Sequence, residues 1–364
     1  MRRPTKYHLA KPSGRSGGGL DRWLAILVLS AVIFGLWKFS KPGKPARKPA
    51  KPAPVAVAIP KVQVTIPVPP APAPIPPDSA RRTHDILEMQ VVLARQGISC
   101  GSLDGVIGSQ TCAALRAFQR KMSLPETGAL DTNTRPALLM DAPALISYTV
   151  TSNDLARLQP LSKTWLGKSQ QSALEFETAL ELVAEQSHAH PNLIKRLNPG
   201  VDSTNVLAGT TLTVPDAKYP EPQGKAAFVV ISLADKTLEA FDENTNLLAH
   251  FPCSIAKRVE KRPAGELHVI AVAPNPNYTF DPEIFPEVPE ARELARKLII
   301  APGPNNPVGT VWISLDLTGY GIHGTPRPED VGRTESHGCF RLANWNAEYL
   351  LKLVWIGMPV RIEP

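Results

Sequence analysis

Two stretches near the C-terminal end determine how this chain folds and what it can do: Tyr320-Gly321-Ile322-His323-Gly324-Thr325-Pro326 and Arg333-Thr334-Glu335-Ser336-His337-Gly338-Cys339-Phe340-Arg341. Each lies at a predicted strand or loop end. Such ends let a rigid sheet present reactive side chains while the neighbouring backbone stays open to other molecules. The chemistry of the chain is therefore expected around Cys339 and His323.

Cys339 has the surroundings of a thiol nucleophile, with histidines sixteen and two residues upstream. A thiol with a pKa near 8.5 is mostly protonated at neutral pH, and a nearby imidazole or imidazolium raises its thiolate fraction. His323 is predicted to be that base. Gly338 allows a carbonyl to approach closely, and the amides around Gly338 and Cys339 predict an oxyanion hole. For His337 the backbone amide is expected to matter more than the ring.

The last 140 residues or so read as strands followed by one helix. The helix is predicted to begin with Asn344 as its N-cap and to end at Gly357, before a final strand. We expect a β-sheet sandwich with this helix packed at one edge. The predicted strands comprise residues 228–231, 238–241, 267–272, 310–315 and 360–362. The proline-rich and aromatic stretch from Asn275 to Leu298 is either a lid or a surface loop.

Two smaller units precede this region. Residues from about His84 to Met140 show helical spacing of apolar residues interrupted by a glycine-rich loop. Cys100 and Cys112 flank that loop and are a candidate disulfide, which would contribute about 2–4 kcal/mol and would require an oxidising compartment. Between residues 147 and 215, short strands bracket two predicted helices, with about twenty-five additional residues inserted after the first strand. Cys253 is expected to be a buried, inert thiol.

The N-terminal end predicts attachment to a membrane. Residues 1–22 form a basic tail, and residues 23–39 are apolar with tryptophans near both ends, as in a short transmembrane signal anchor. A cleaved signal peptide or a buried helix would also fit this pattern. Residues 40–80 form a proline-rich linker with extended polyproline II character. The net charge of +7 comes largely from this end, which favours anionic lipid over nucleic acid as the partner.

The two quoted stretches resemble the signature of the L,D-transpeptidase catalytic domain, also called YkuD-type, over residues 225–364. The string from Asp104 to Thr111, with Phe118-Gln119, resembles peptidoglycan-binding domain 1 within residues 81–142, and residues 145–216 resemble a LysM module. The resemblance implies a multidomain α+β chain: a small helical bundle, a LysM-like βααβ segment, and a mainly-β sandwich catalytic domain with one edge helix. It also implies site roles: Cys339 as nucleophile, His323 as base, Gly324 as the carbonyl that orients His323, and Ser336, His337, Gly338 and Arg341 as oxyanion or pocket residues.

The resemblance further implies a peptidoglycan cross-linking enzyme that uses no cofactor or metal. Its partners would be stem peptides and glycan strands, and its catalytic domain would lie in the periplasm, anchored to the inner membrane. Hydrolysis of the same bond, as in an L,D-carboxypeptidase, is the nearest competing hypothesis, because water can resolve a thioester as an amine does. Two further hypotheses are a non-catalytic wall-binding protein and a zinc site formed by His323, His337 and Cys339.

Overall fold

The computed structural model describes residues 81–285, 288–294, 296–336 and 338–364. The predicted basic tail, signal anchor and linker lie outside these residues, and so does His337. Within the described ranges, no helix combines the length and the apolar character that crossing a bilayer requires.

The first described domain is helical and is closed by a short pair of strands. Its helices are α1 (Ile86–Ala94) and α2 (Ser109–Lys121), and the strands are β1 (Arg81–Arg82) and β2 (Leu139–Met140). Asp85 caps α1 by accepting a hydrogen bond from the Glu88 amide. Between α2 and β2 the chain forms a 3-10 turn, Arg135–Ala137, with Pro136 near its start.

The predicted disulfide between Cys100 and Cys112 is absent, since both residues are free thiols. Cys100 is buried and its thiol hydrogen-bonds the Thr111 side chain on α2. Burial raises the pKa of Cys100, which keeps the sulfur neutral. The sulfur therefore serves as a small packing group in the core of this domain.

The second unit contains two paired antiparallel strands, β3 (Leu145–Thr149) and β4 (Thr211–Pro215), with four short helices between them in sequence. The helices are α3 (Ser152–Ala156), α4 (Trp165–Ser169), α5 (Ala179–Gln186) and α6 (Pro191–Leu197). The predicted β-helix-helix-β order corresponds to β3, α5, α6 and β4. The additional residues predicted after the first strand contain helix α4, and helix α3 lies just before them. Part of this insertion is therefore helical.

The third unit is an eight-stranded mixed sheet with one long helix. Its elements are β5 (Phe228–Ser232), β6 (Thr237–Phe241), β7 (Leu247–Pro252), β8 (Gly265–Pro274), β11 (Val311–Leu315), β12 (Gly321–His323), β13 (Phe340–Arg341), α7 (Asn344–Leu353) and β14 (Pro359–Glu363). A separate two-stranded hairpin, β9 (Tyr278–Phe280) and β10 (Leu298–Ile300), lies between β8 and β11 in sequence.

The strand order corrects one detail of the predicted sandwich. The order is β13-β12-β11-β8-β14-β5-β6-β7, so the strands form one curled sheet rather than two separate ones. The ten-residue strand β8 makes this possible, because its first half pairs with β14 and its second half pairs with β11. The pairs β12–β13 and β5–β14 are parallel, and the other pairs are antiparallel.

Helix α7 covers the inner face of the sheet near β11 and β12. Trp345, Tyr349, Leu350 and Leu353 are buried on it. Asn344 was predicted to be the N-cap, but Ala343 occupies that position and Asn344 is the first helical residue, fully buried. Its side chain is consequently free to hydrogen-bond neighbouring loops instead of its own helix.

Backbone hydrogen bonds join the helical domain to the edge of the sheet. The Ser99 amide donates to the His250 carbonyl at 2.8 Å, and the His250 amide donates to the Gly97 carbonyl at 3.0 Å. A salt bridge of 2.5 Å between Arg120 and Glu239 lies beside them. Gln110 on α2 also hydrogen-bonds the Val331 carbonyl, in the loop that leads to Cys339. The helical domain is therefore part of one packed unit with the sheet.

Candidate active site

The predicted catalytic residues lie on or directly before the parallel pair of strands β12 and β13. The register pairs His323 with Arg341 and Ile322 with Phe340. Residues paired in register point to the same face, so Arg341 and His323 share a face, and Cys339 directly precedes β13. The opposite face, with Ile322 and Phe340, is fully buried in the core. The pairing thus places the strand that carries His323 beside the short strand that follows Cys339.

His323 is held by two neighbours and is only 5% exposed. Its Nδ1 hydrogen-bonds the Gly324 carbonyl at 2.6 Å, and its ring stacks on Trp312 with centroids 5.6 Å apart. A carbonyl oxygen only accepts, so Nδ1 must carry the proton. Burial lowers the pKa of His323 to about 4, opposed by the hydrogen bond to Gly324 and assisted by the charge of Arg341. At neutral pH the ring is therefore neutral, and its Nε2 lone pair can accept a proton.

Cys339 is half-buried, and its thiol donates to the Gly319 carbonyl at 3.4 Å. Burial raises the pKa of Cys339 above its ordinary value, and a backbone hydrogen bond from Gly321 opposes that rise. The sequence predicted that a nearby imidazole would raise the thiolate fraction of Cys339. The pKa directions of both groups favour the neutral forms, because burial disfavours the charged form of each. The resting pair consists of a thiol and a neutral imidazole.

Ser336 and Gly338 brace the loop that carries Cys339. The buried Ser336 hydroxyl donates to the Cys339 carbonyl at 2.5 Å and accepts from the Gly338 amide at 3.2 Å. The Gly338 amide, predicted to be an oxyanion donor, is therefore already used inside the loop. His337, between these two residues, lies outside the described residues.

Arg341 was predicted to be an oxyanion or pocket residue. Its Nη2 instead donates to the Thr334 hydroxyl at 3.0 Å and to the Glu335 carbonyl at 2.7 Å. Its buried Nε has no hydrogen-bond partner among the described residues. Arg341 thus holds the loop before Cys339 and keeps a positive charge close to His323.

The stretch predicted to be either a lid or a surface loop contains β9 and reaches β10, and these two strands pair with each other; residues 286, 287 and 295 between them lie outside the described residues. Trp165 on α4 stacks on Phe280 of this hairpin with centroids 4.1 Å apart, and its amide donates to Glu290 at 2.7 Å. Burial raises the pKa of Tyr278 to about 12, with a smaller contribution from Cys339. Tyr278 therefore lies within electrostatic range of the sulfur, which places the hairpin next to the candidate active site.

Sequence reasoning missed two residues that support the site. Asn344 was predicted only as a helix cap, and Glu185 on α5 was given no role. The Asn344 Nδ2 donates to Glu185 at 2.7 Å, across 159 positions of sequence. No local pattern could show that contact. Cys253 agrees with its prediction as an inert thiol, because it is fully buried and burial raises its pKa to about 12.

Among the residues that the structure describes, no group of three or more His, Cys, Asp or Glu side chains is arranged to hold a metal ion. The third zinc candidate, His337, falls outside the described ranges.

Comparison with known proteins assigns two parts of the chain. Residues 226–362 match the family described as "L,D-transpeptidase catalytic domain", YkuD, and residues 82–138 match "Putative peptidoglycan binding domain". An L,D-transpeptidase YkuD of Bacillus licheniformis is 26% identical over 185 residues, covering 51% of this chain and 93% of that protein. The L,D-transpeptidase YbiS of Escherichia coli K12 is 28% identical over 193 residues, covering 50% of this chain and 59% of that protein.

A solved L,D-transpeptidase from Mycobacterium smegmatis is similar at 18% identity with a TM-score of 0.31, over 45% of this chain and 80% of that one. The family match assigns residues 226–362 to the L,D-transpeptidase catalytic domain. This chain combines an L,D-transpeptidase catalytic domain with a peptidoglycan-binding domain, as the sequence predicted.

Proposed function

We propose that this protein forms peptidoglycan cross-links, or links between a lipoprotein and the wall, with Cys339 as nucleophile and His323 as general base. The observation that supports this most directly is the hydrogen bond from His323 Nδ1 to Gly324, on a strand paired with the one that follows Cys339. It fixes the tautomer in which Nε2 accepts a proton. The stem peptides of peptidoglycan are the proposed substrates, as the resemblance implies.

The first half-reaction transfers an acyl group to sulfur. His323 Nε2 takes the proton of the Cys339 thiol while the sulfur attacks the carbonyl of the third residue of a tetrapeptide stem. The carbon–nitrogen bond to the terminal D-alanine then breaks, and the imidazolium returns its proton to that leaving amine. The product is a thioester on Cys339. Since the resting thiol is neutral, proton transfer accompanies attack instead of preceding it.

The second half-reaction resolves the thioester. A side-chain amine of a neighbouring stem attacks the acyl carbon, His323 takes one proton from that amine, and the Cys339 sulfur leaves and regains a proton. Water could replace the amine, which would make the protein an L,D-carboxypeptidase. The peptidoglycan-binding domain packed against the sheet supports transpeptidation, because it keeps the enzyme on a wall rich in acceptor amines.

The remaining proposals concern location. Residues 23–39 would anchor the chain in the inner membrane, with the catalytic domain in the periplasm, and the LysM-like residues 145–216 would contact glycan strands. Membrane fractionation of the full chain, with and without residues 1–39, tests the anchor. Recovery of both forms in the soluble fraction would contradict it.

Incubation of residues 81–364 with purified tetrapeptide muropeptides, with products identified by mass, tests the function. We expect cross-linked dimers together with released D-alanine. Cys339→Ser should abolish both products, whereas Cys112→Ser, a half-exposed thiol outside the site, should retain them. Tripeptides without dimers would assign the carboxypeptidase activity, and full activity of Cys339→Ser would contradict the nucleophile.

A further inference from the structure

The peptide group between Gly324 and Thr325 is held at both of its polar ends. Its carbonyl accepts from His323 Nδ1 at 2.6 Å, and its amide, on Thr325, donates to Asn344 Oδ1 at 3.0 Å. A peptide group is planar, so fixing the amide end fixes the direction of the carbonyl. The orientation of the His323 ring therefore depends on the position of the Asn344 side chain.

The orientation of Asn344 is set by four hydrogen bonds. Its Oδ1 also accepts from the Thr310 amide at 3.2 Å, and its Nδ2 donates to Pro304 and Glu185 at 3.2 and 2.7 Å. Two amide donors on one side and two acceptors on the other allow only one assignment of the oxygen and the nitrogen. Gly309 and Gly324 pack directly on Oδ1, where an added Cβ on either residue would overlap it. The side chain thus has one position and one orientation.

Glu185 is the only one of these four partners that is a side chain, and it comes from another part of the fold. It lies on α5, in the LysM-like residues 145–216, while the other three partners are backbone groups of the catalytic domain. It makes the shortest of the four contacts. An anion or a neutral acid can accept the bond, but a residue with no acceptor leaves one Asn344 proton without a partner inside the protein.

We propose that Glu185 is a positioning residue for the transpeptidase active site, acting through Asn344 on the Gly324–Thr325 peptide that orients His323. The LysM-like segment then completes the active site rather than serving only as a wall-binding module. This inference rests on the proposed role of His323. It adds a residue that the catalytic domain cannot supply by itself.

The surroundings of Glu185 are acidic and enclosed. Burial raises its pKa to about 8, opposed by the Asn344 hydrogen bond and assisted by the charges of Glu348, Glu181 and Glu329. In the described part of the chain it has no salt-bridge partner. Glu185 lines two cavities, of about 700 and 540 Å³. Besides the acidic residues just named, the larger cavity is lined by the charged or titratable residues Arg157, Glu175 and His188. The smaller cavity is lined by Lys163, Lys168, Glu177 and Arg327. Burial lowers the pKa of His188 to about 4, so it adds no charge at neutral pH.

A pair of substitutions separates positioning from structural support. Glu185→Gln keeps an acceptor for Asn344 Nδ2, while Glu185→Ala removes it. In residues 81–364, we expect Glu185→Ala to lower kcat for dimer formation by roughly ten- to hundred-fold with KM little changed, because misplacing a catalytic group acts on the chemical step. Glu185→Gln should stay within about twofold of the parent, as expected when the hydrogen bond is preserved. Glu181→Gln, one turn earlier on α5 and bonded to Asn305 instead, is the matched control and should also retain activity.

A second readout does not require turnover of peptidoglycan. The rate at which iodoacetamide alkylates Cys339, followed by peptide mass, reports how well His323 assists the thiol. It should fall in Glu185→Ala and recover in Glu185→Gln, and adding Glu185→Ala to Asn344→Ala should cause no further loss, since the two residues act in series. Parent-like alkylation and kcat in Glu185→Ala would overturn the proposal, as would additive losses in the double variant. If no variant makes dimers, alkylation still decides the role of Glu185, so the two proposals fail separately.

Discussion

At the scale of single residues, burial decides the protonation of the catalytic pair. The half-buried Cys339 thiol and the buried His323 imidazole both favour their neutral forms, and the contacts of His323 with Gly324 and Trp312 do not reverse that preference. Many cysteine enzymes are described with a thiolate and an imidazolium at rest. In the proposed mechanism the proton would therefore stay on Cys339 until attack, with His323 as the general base.

The lowered pKa of His323 gives a pH prediction with a definite sign. The neutral ring is the active base, and it persists above its folded pKa of about 4, so the rate should fall only as the pH drops through that value. With a histidine of ordinary pKa as the base, the rate would instead fall around pH 6.5. The measurement is the pH dependence of Cys339 acylation by a tetrapeptide, with the His323 carbon signal titrated by NMR and assigned through His323→Gln. An acid limb and an NMR midpoint both near 6.5 would show that the ring is solvated.

At the scale of elements, the β9–β10 hairpin depends on a helix from another part of the chain. Phe280, Leu298 and Ile300 form a small buried cluster with Leu174, and Trp165 packs against it. This cluster is separate from the main core of the protein. The hairpin beside Cys339 is therefore stabilised by residues inserted into the LysM-like segment, and not by the sheet alone.

Trp165→Ala should loosen this hairpin selectively. Removing a stacked indole of this size from a small cluster costs roughly 3–5 kcal/mol locally, which should raise hydrogen exchange at residues 278–280 and 298–300 while the sheet strands stay protected. Leu166→Ala, a 41% exposed neighbour on the same helix, is the control. Exchange rates in the hairpin that match between the two variants would show that α4 does not hold it.

The elements also show what the sequence could and could not predict. The His323 and Cys339 strings were recognisable because catalytic residues and their glycines are adjacent in sequence, and strand periodicity located the sheet. The prediction for Asn344 was wrong because a residue at a helix start usually caps its own helix, and here tertiary loops bind its side chain. Glu185 had no signal at all, since its partner is 159 positions away. The pKa directions of Cys339 and His323 also had no sequence signal, because burial is set by the fold.

At the scale of the molecule, the described residues pack as one unit. The helical domain makes backbone hydrogen bonds to His250 at the edge of the sheet. Asn346 on α7 accepts a hydrogen bond from the Tyr219 hydroxyl at 2.6 Å and donates one to the Ser99 hydroxyl at 3.3 Å. The LysM-like segment adds the Glu185–Asn344 contact. Binding modules on flexible linkers would search the wall independently, whereas these have a fixed relation to the active site. A substrate held by the helical domain would therefore reach Cys339 only along a defined surface.

This packing predicts a single cooperative unfolding transition for residues 81–364. Gly97 is the sensitive position, because it has φ +77° and an added Cβ would lie 2.8 Å from the Leu248 carbonyl at the junction with the sheet. Gly97→Ala should lower Tm by several degrees, which corresponds to a loss of about 1–3 kcal/mol in the free energy of unfolding. It should also make the helical domain unfold in a transition separate from that of the sheet. Gly108→Ala, in the same domain with open space around it, should leave the transition nearly unchanged. Calorimetry with circular dichroism makes the comparison, and two transitions already present in the parent would mean that the junction is too weak to couple the helical domain to the active site.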